Sequence, residues 1–232
     1  MSAQLTLPGT FAAALLVARK DLSIEFRTRT AFLSALVFAL LSIVIFYFAW
    51  DPTAVGAIDL APGVLWIIFT FSGLLGLQRS FNVEIAERAI DGLLAAPISR
   101  EAIYLGKAMA NLAFVAAVQV VAIPTLGLFY DVPLGGILPA LAGIALLAAI
   151  GLVAVGTLFA SMTVNTRLAE LLLPMLALPF FVPIVLPAAQ ATAKLLAGRP
   201  LEDVASWLKL LAAFDIVFVA ACMAAFPHTL EE

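Results

Sequence analysis

RSFNVEIAERAIDGLLAAPISREAIYLGK, residues 79–107, is the one long charged passage of a 232-residue chain. It holds four of the twelve Lys/Arg, namely Arg79, Arg88, Arg100 and Lys107, interleaved with Glu84, Glu87, Asp91 and Glu101. The run before it, Ala61–Leu77, contains no charge, and after Lys107 none follows until Asp131. A chain that sets one compact charged insert between long apolar runs reads as a membrane protein presenting that insert on one face. The whole composition agrees: 64% apolar, 12% charged and a mean hydropathy of +1.15, against roughly 25% charged residues in soluble domains.

Outward from the insert, the apolar runs set the fold class. A hydrocarbon core of about 30 Å takes about 20 helical residues at about 1.5 Å each. Segments 31–50, 61–78, 102–130, 134–163, 168–187 and 207–227 meet or approach that length. Lipid offers no partner to free backbone groups, so helices are predicted. The runs do not alternate apolar with polar, which speaks against a barrel. The predicted fold is an all-α polytopic membrane protein, one domain over residues 1–232 with six transmembrane helices. Met1–Ala18 has no basic leading region and is not expected to be a cleavable signal. A single Cys222 excludes disulfides within the chain and cysteine metal clusters.

Charge placement predicts the orientation. Arg19, Lys20, Arg27 and Arg29 precede the first span, four positives lie in 79–107, and Arg167 lies in the fourth loop. Lys194, Arg199 and Lys209 flank the fifth loop, so nine positives stand against three. The basic side is cytoplasmic, which puts both termini and the insert at 79–101 inside. In residues 8–28, Thr10 is the predicted cap of a helix in which Phe11, Leu15, Ala18, Leu22 and Phe26 recur at helical spacing. The pattern reads as an interfacial amphipathic helix at the headgroups, with packing on the protein itself as the alternative.

Small residues one turn apart mark predicted helix–helix contacts: Ser72/Gly76, Ala113/Ala117, Ala145/Ala149 and Gly156/Ala160. In the fifth span, Pro174, Pro179, Pro183 and Pro187 each remove a backbone donor. A kinked or broken segment ending near Pro187 is expected, with a short outer helix or loop in 188–206. Asn111, Gln119, Thr157 and Asp215 are the polar groups inside predicted spans. Asn111 and Gln119 read as interhelical hydrogen-bonding groups. Asp215 must face protein or water, since a central carboxylate costs about 2.5–3.5 kcal/mol on insertion scales; a translocation path, a neighbouring helix and a second subunit are all open.

Several chemistries find no residues. There is no G-x-x-x-x-G-K-[ST] phosphate loop and no H-E-x-x-H or G-x-S-x-G motif. The only histidine, His228, lies past the last apolar run. The insert reads instead as a docking element. Pro97 should end a helix begun around Asn82, and Ser99 can cap the next one with Glu101 near its positive end. Glu84, Glu87, Arg88 and Asp91 share a polar side; Ile85, Ile90, Leu93 and Leu94 supply an apolar one. The alternative is a solvated connecting loop.

The order E-x-x-E-R-A-I-D-G-L-L-A-A-P-I-S-R-E-A-I-Y-L-G-K over 84–107 resembles the cytoplasmic loop of ABC-2-type permeases. Five segments are similar to the haem-exporter B subunit (CcmB) family of bacterial cytochrome c maturation. They are RKDLSIEFRTR at 19–29, PGVLWIIFTFSGLLGLQRSF at 62–81, DGLLAAPISREAIYLGKAMANL at 91–112, VGTLFASMTVNTRLAELLLPMLALPFFVPIVLPAAQAT at 155–192 and WLKLLAAFD at 207–215.

The resemblance implies an ABC-2 (type II exporter-like) permease fold, a coupling helix between spans two and three, and residence in the bacterial inner membrane. It implies an ATPase-coupling interface at Glu84, Glu87, Arg88, Asp91, Leu93, Leu94, Pro97 and Arg100. The implied partners are an ABC ATPase subunit, a haem-binding membrane subunit and a small accessory membrane subunit. A periplasmic haem chaperone acts indirectly and membrane lipid surrounds the chain; no nucleic acid is involved. No cofactor is expected on this chain, with ATP and haem on the partner subunits. Haem delivery or release of the haem-loaded chaperone is the implied outcome, without a catalytic site in this chain. An ABC-2 exporter of a lipid, glycan or drug is the alternative, and an ATPase-independent secondary transporter, for which no inverted repeat is visible, is another.

Overall fold

A computed structural model describes residues 9–86, 92, 96–163 and 168–229, with backbone alone at 81–86 and 169–170. The helices are α1 (Thr10–Thr28), α2 (Thr30–Ala49), α3 (Ala57–Ala86), α4 (Arg100–Phe129), α5 (Leu138–Thr163), α6 (Ala169–Leu196) and α7 (Leu201–Thr229). No strand occurs among the described residues. Six of these helices, α2 to α7, are long and apolar enough to cross a membrane. This is a multi-pass membrane protein.

The core follows from which faces can approach. Helix α3 is enclosed by α2, α4, α5 and α6 and buries Leu65, Trp66, Ile68, Phe69 and Leu77. Small residues set the distances: a Cβ on Gly156 would run into Leu77, and one on Gly76 into Phe114. In lipid, where apolar burial drives little association, such close backbone packing carries much of the stability. Ser72, Ala145, Ala149 and Ala160 are likewise buried. Ala113 and Ala117 are exposed instead, so that predicted contact pair lies on the outside of α4.

Two joints depart from the predicted ones. Helix α1 starts after Gly9 without a side-chain cap, and Thr10 is its first residue. At its other end Arg29 adopts a left-handed φ of 56° and turns the chain directly into α2. Glu25 Oε1 accepts from Phe32 N–H at 2.8 Å, satisfying a donor at the start of α2.

The fifth span is the larger correction. Helix α6 runs unbroken through Pro174, Pro179, Pro183 and Pro187, so no break falls at Pro187. Pro179, Pro183 and Pro187 lie one turn apart and share a face, so the missing hydrogen bonds line up on one side. The ladder continues on the other side. No separate outer helix occupies 188–206: residues 188–196 finish α6 and 201–206 begin α7. Between them Gly198, at φ 68°, donates to Leu195 O and Arg199 N donates to Lys194 O. These are the two bonds of a Schellman stop, which needs glycine at the left-handed position.

Candidate functional site at the base of the charged insert

Both roots of the insert are helical. Helix α3 does not end with its span but continues to Ala86, so residues 79–86 extend α3 and no new helix starts at Asn82. On the far side Ser99 Oγ accepts from Ala102 N–H at 3.2 Å and Glu101 sits in the first turn of α4, as the sequence predicts.

Helix α1 is fastened along the first half of α4. A Cβ at Gly106 would lie 2.6 Å from both Ala14 O and Val17 Cβ, so glycine there permits the backbones to touch. Ala13, Ala14 and Ala102 form a small apolar cluster against which Ile98, at the end of the insert, and Leu105 pack. The predicted apolar set of α1 is therefore split. Ala18 joins the buried Ala13, Ala14 and Val17, while Phe11, Leu15 and Phe26 point outward at 71%, 52% and 75% exposure. Packing on the protein and an outer apolar face coexist in one helix.

Deeper in this junction lies a lysine with no exposed surface. Lys107 Nζ donates to Asp21 Oδ2 at 3.0 Å and to Ser80 O at 2.7 Å. Asp21 also pairs with Lys20 at 3.1 Å. A buried ammonium is tolerable only when its donors are matched. Here the matching groups come from α1 and from α3 just before the insert, while the lysine stands on α4 just after it. One lysine thus joins three elements at the base of the insert, through an ion pair to α1 and a hydrogen bond to α3. A cavity of about 70 Å³ adjoins it, lined by Asp21, Glu25, Arg79, Ser80 and Asn111 among others.

The intramembrane polar groups are resolved into two kinds. Asn111 Nδ2 donates to Thr157 Oγ1 at 3.0 Å, and Gln119 Nε2 donates to Ala145 O at 3.2 Å; both tie α4 to α5. Asp215 is buried at 5% exposure, and neither carboxylate oxygen has a hydrogen-bond partner among the described residues. It stands at the middle of α7 against Gly151, where an added Cβ would run into Asp215 Oδ1 and lie 3.0 Å from Ile184. Its burial within the chain removes a second subunit as its partner. Asp215 meets α5 between the levels of Asn111 and Gln119 and away from the Lys107 junction.

Of the predicted interface residues, Glu87, Arg88, Asp91, Leu93 and Leu94 lie outside the described residues. Glu84 is in the last turn of α3, Pro97 is in the bend before Ser99, and Arg100 opens α4. Arg100 Nη1 is buried without a partner among the described residues. Sequence reasoning missed Lys107, Asp21 and Ser80 as a unit, counting Lys107 only toward orientation. The legible signal was a lysine held in the apolar context Leu105-Gly106-Lys107-Ala108-Met109. No group of three potential metal ligands occurs among the described residues. The junction offers no nucleophile and base pair; it is built to hold three elements in fixed relation.

Comparison with known proteins places these residues in context. A family model described as CcmB protein matches residues 12–232. The chain is similar to Heme exporter protein B of Paracoccus denitrificans, 31% identical over 201 residues, or 87% of this chain and 90% of that protein. It is also similar to Heme exporter protein B of Rhodobacter capsulatus, 29% identical over 206 residues covering 89% and 94% of the two chains. The protein of that name in Pseudomonas aeruginosa is 26% identical over 211 residues, covering 91% and 94%.

Proposed function

Because the chain belongs to the CcmB protein family, we propose that it is the transmembrane permease subunit of an ABC-type haem-handling complex of cytochrome c maturation. A separate ATPase subunit hydrolyses ATP, since this chain has no phosphate loop of its own. The insert at 79–101 docks on that ATPase, and α3 and α4 carry the resulting displacement into the membrane. Glu84, Glu87, Arg88, Asp91, Leu93, Leu94, Pro97 and Arg100 form the docking interface. The outcome is haem delivery or release of a haem-loaded periplasmic chaperone.

The observation that carries this reading is the Lys107 junction. An insert meant to transmit force must be rooted in rigid elements, and one buried lysine joins its two roots to α1, by an ion pair to Asp21 and a hydrogen bond to the Ser80 carbonyl. The relatives named Heme exporter protein B supply the cargo class. The single histidine, His228, is in the last turn of α7, so paired histidine ligation of haem within one chain has no residues here. Haem is accordingly assigned to a partner membrane subunit, with a small accessory membrane subunit completing the complex. Nine positives on the side of the termini and the insert against three on the other make that side cytoplasmic, in the bacterial inner membrane.

Affinity purification from native membranes, with partner identification and haem spectra, tests this. Recovery of an ABC ATPase and a haem-bearing membrane subunit is expected. A deletion strain that still assembles c-type cytochromes would overturn the haem assignment.

A further inference from the structure

Helix α6 carries an incomplete hydrogen-bond ladder inside the membrane. Pro179, Pro183 and Pro187 bring no N–H. The carbonyls four residues earlier, those of Met175, Pro179 and Pro183, therefore lack the donor that a helix normally gives them. These three carbonyls stand one turn apart, about 6 Å along the axis. Met175 and Pro179 are exposed and Pro183 is half-buried, so the row opens on the outside of the bundle. No side chain among the described residues donates to it. Two turns beyond Pro183 on the same side, Gln190 is exposed and makes no hydrogen bond among the described residues. The whole stretch lies within the span Leu171–Leu196.

The unmet acceptors decide the occupant. Lipid tails supply no donor, and backbone groups freed by proline inside a membrane are met by neighbouring helices, by side chains or by water. Water does not suit this face. The residues flanking the row are Leu171, Met175, Val182 and Leu186, each between 54% and 71% exposed, an apolar wall and not the lining of an aqueous path. Beside them α3 stands off from α6, leaving a groove of about 410 Å³ between Ile67 and Phe71 on one side and Val182 and Leu186 on the other. That groove can seat a bulky apolar side chain. A second copy of this chain cannot complete the row. From Leu171 to Ala189, α6 has no side-chain donor, and the outward residues midway along other spans are apolar, Leu41, Val120, Leu146 and Ile216 among them.

We propose that the proline face of α6 is the docking surface for a transmembrane helix of a different membrane subunit. That helix carries hydroxyl or amide side chains one turn apart and donates them to the Met175, Pro179 and Pro183 carbonyls, as polar side chains do between helices in lipid. It sets a further polar group against Gln190 and an apolar side chain in the α3–α6 groove. The prolines thus leave α6 continuous while turning its backbone into a row of acceptors. This surface rests on the proposed function only in taking a partner membrane subunit to be present; it does not involve the ATPase.

The test places photoreactive benzoylphenylalanine at Met175 or at Leu186 of the full chain, irradiates native membranes, and maps the adducts by mass spectrometry. Both probes are expected to capture one span of another polypeptide, with a Ser, Thr, Asn or Gln within a turn of the attachment point. The same probe at Ile216, on the outward side of α7, should not capture that span. Pro179→Val with Pro183→Val restores two N–H groups at similar bulk, so α6 stays helical while the Met175 and Pro179 carbonyls close to an outside donor. Capture should then fall by about threefold for each carbonyl closed, the scale of one interhelical hydrogen bond in lipid, and Gln190→Leu should lower it as well. Adducts to a second copy of this chain, adducts to lipid alone, capture of a span without such donors, or unchanged capture in the proline variant would each overturn the proposal. The ATPase is counted separately in the same membranes; its absence bears on the coupling role of the insert and leaves the α6 surface standing.

Discussion

Lys107→Met removes an ammonium whose side chain has no exposure and leaves Asp21, with 15% side-chain exposure, without its shorter partner. Breaking a fully buried pair costs about 3–5 kcal/mol, because the surviving charge is stranded. Asp21 keeps some solvent and keeps Lys20 at 3.1 Å, so about half of that loss is expected, about 2 kcal/mol. The Ser80 carbonyl loses a donor at 2.7 Å, which adds about 0.5–1 kcal/mol. Lys107→Met should therefore destabilise by about 2–3 kcal/mol. Asp21→Asn with Lys107→Met strands no charge and should fall within about 1 kcal/mol of wild type. The assay is a double-mutant cycle of unfolding in nanodiscs, paired with hydrogen exchange on α1, which should open in the single variant. If the two single substitutions prove additive within about 0.5 kcal/mol, the junction is not a coupled unit and the reasoning fails.

Three further outcomes follow from the same packing. Gly106→Ala sets a Cβ 2.6 Å from Ala14 O and should push α1 from α4 at about 1–3 kcal/mol, visible as early protease cleavage between α1 and α2. Asp215→Asn should melt no lower than wild type, because neither oxygen has a hydrogen-bond partner among the described residues and a central carboxylate is itself unfavourable by about 2.5–3.5 kcal/mol; a drop in melting temperature would reveal a partner. Ser99→Ala removes the acceptor of the Ala102 N–H and should cost about 1 kcal/mol, read as faster amide exchange over residues 100–103, with Ser99→Gly losing less.

The membrane spans and the α4 cap were legible because each rests on local chemistry: apolar length, or a serine before an acidic first turn. The course of α6 was not. Four prolines read as a break when taken one by one, and the face shared by Pro179, Pro183 and Pro187 shows why the helix survives there. The true stop was nonetheless written in the sequence as Gly198 followed by Pro200, where a left-handed glycine ends one helix and a proline precedes the next. In the candidate site, Ser99, Asn111 and Gln119 were readable from residue type and place. Asp21 and Lys107 were not paired, because 86 residues separate them and only the approach of α1 at Gly106 brings them together. Ala113 and Ala117 show the converse, since small residues at helical spacing also occur on faces that pack against no helix.

Coupling through the insert is tested most directly by reversing its charges, Glu87→Lys, Arg88→Glu and Asp91→Lys together, and purifying the complex from membranes that contain the variant at wild-type level. Loss of the ATPase subunit, or ATP hydrolysis no longer accompanied by c-type cytochrome assembly, is the predicted result. A variant that keeps the ATPase bound and assembles c-type cytochromes in full would contradict the coupling role of the insert.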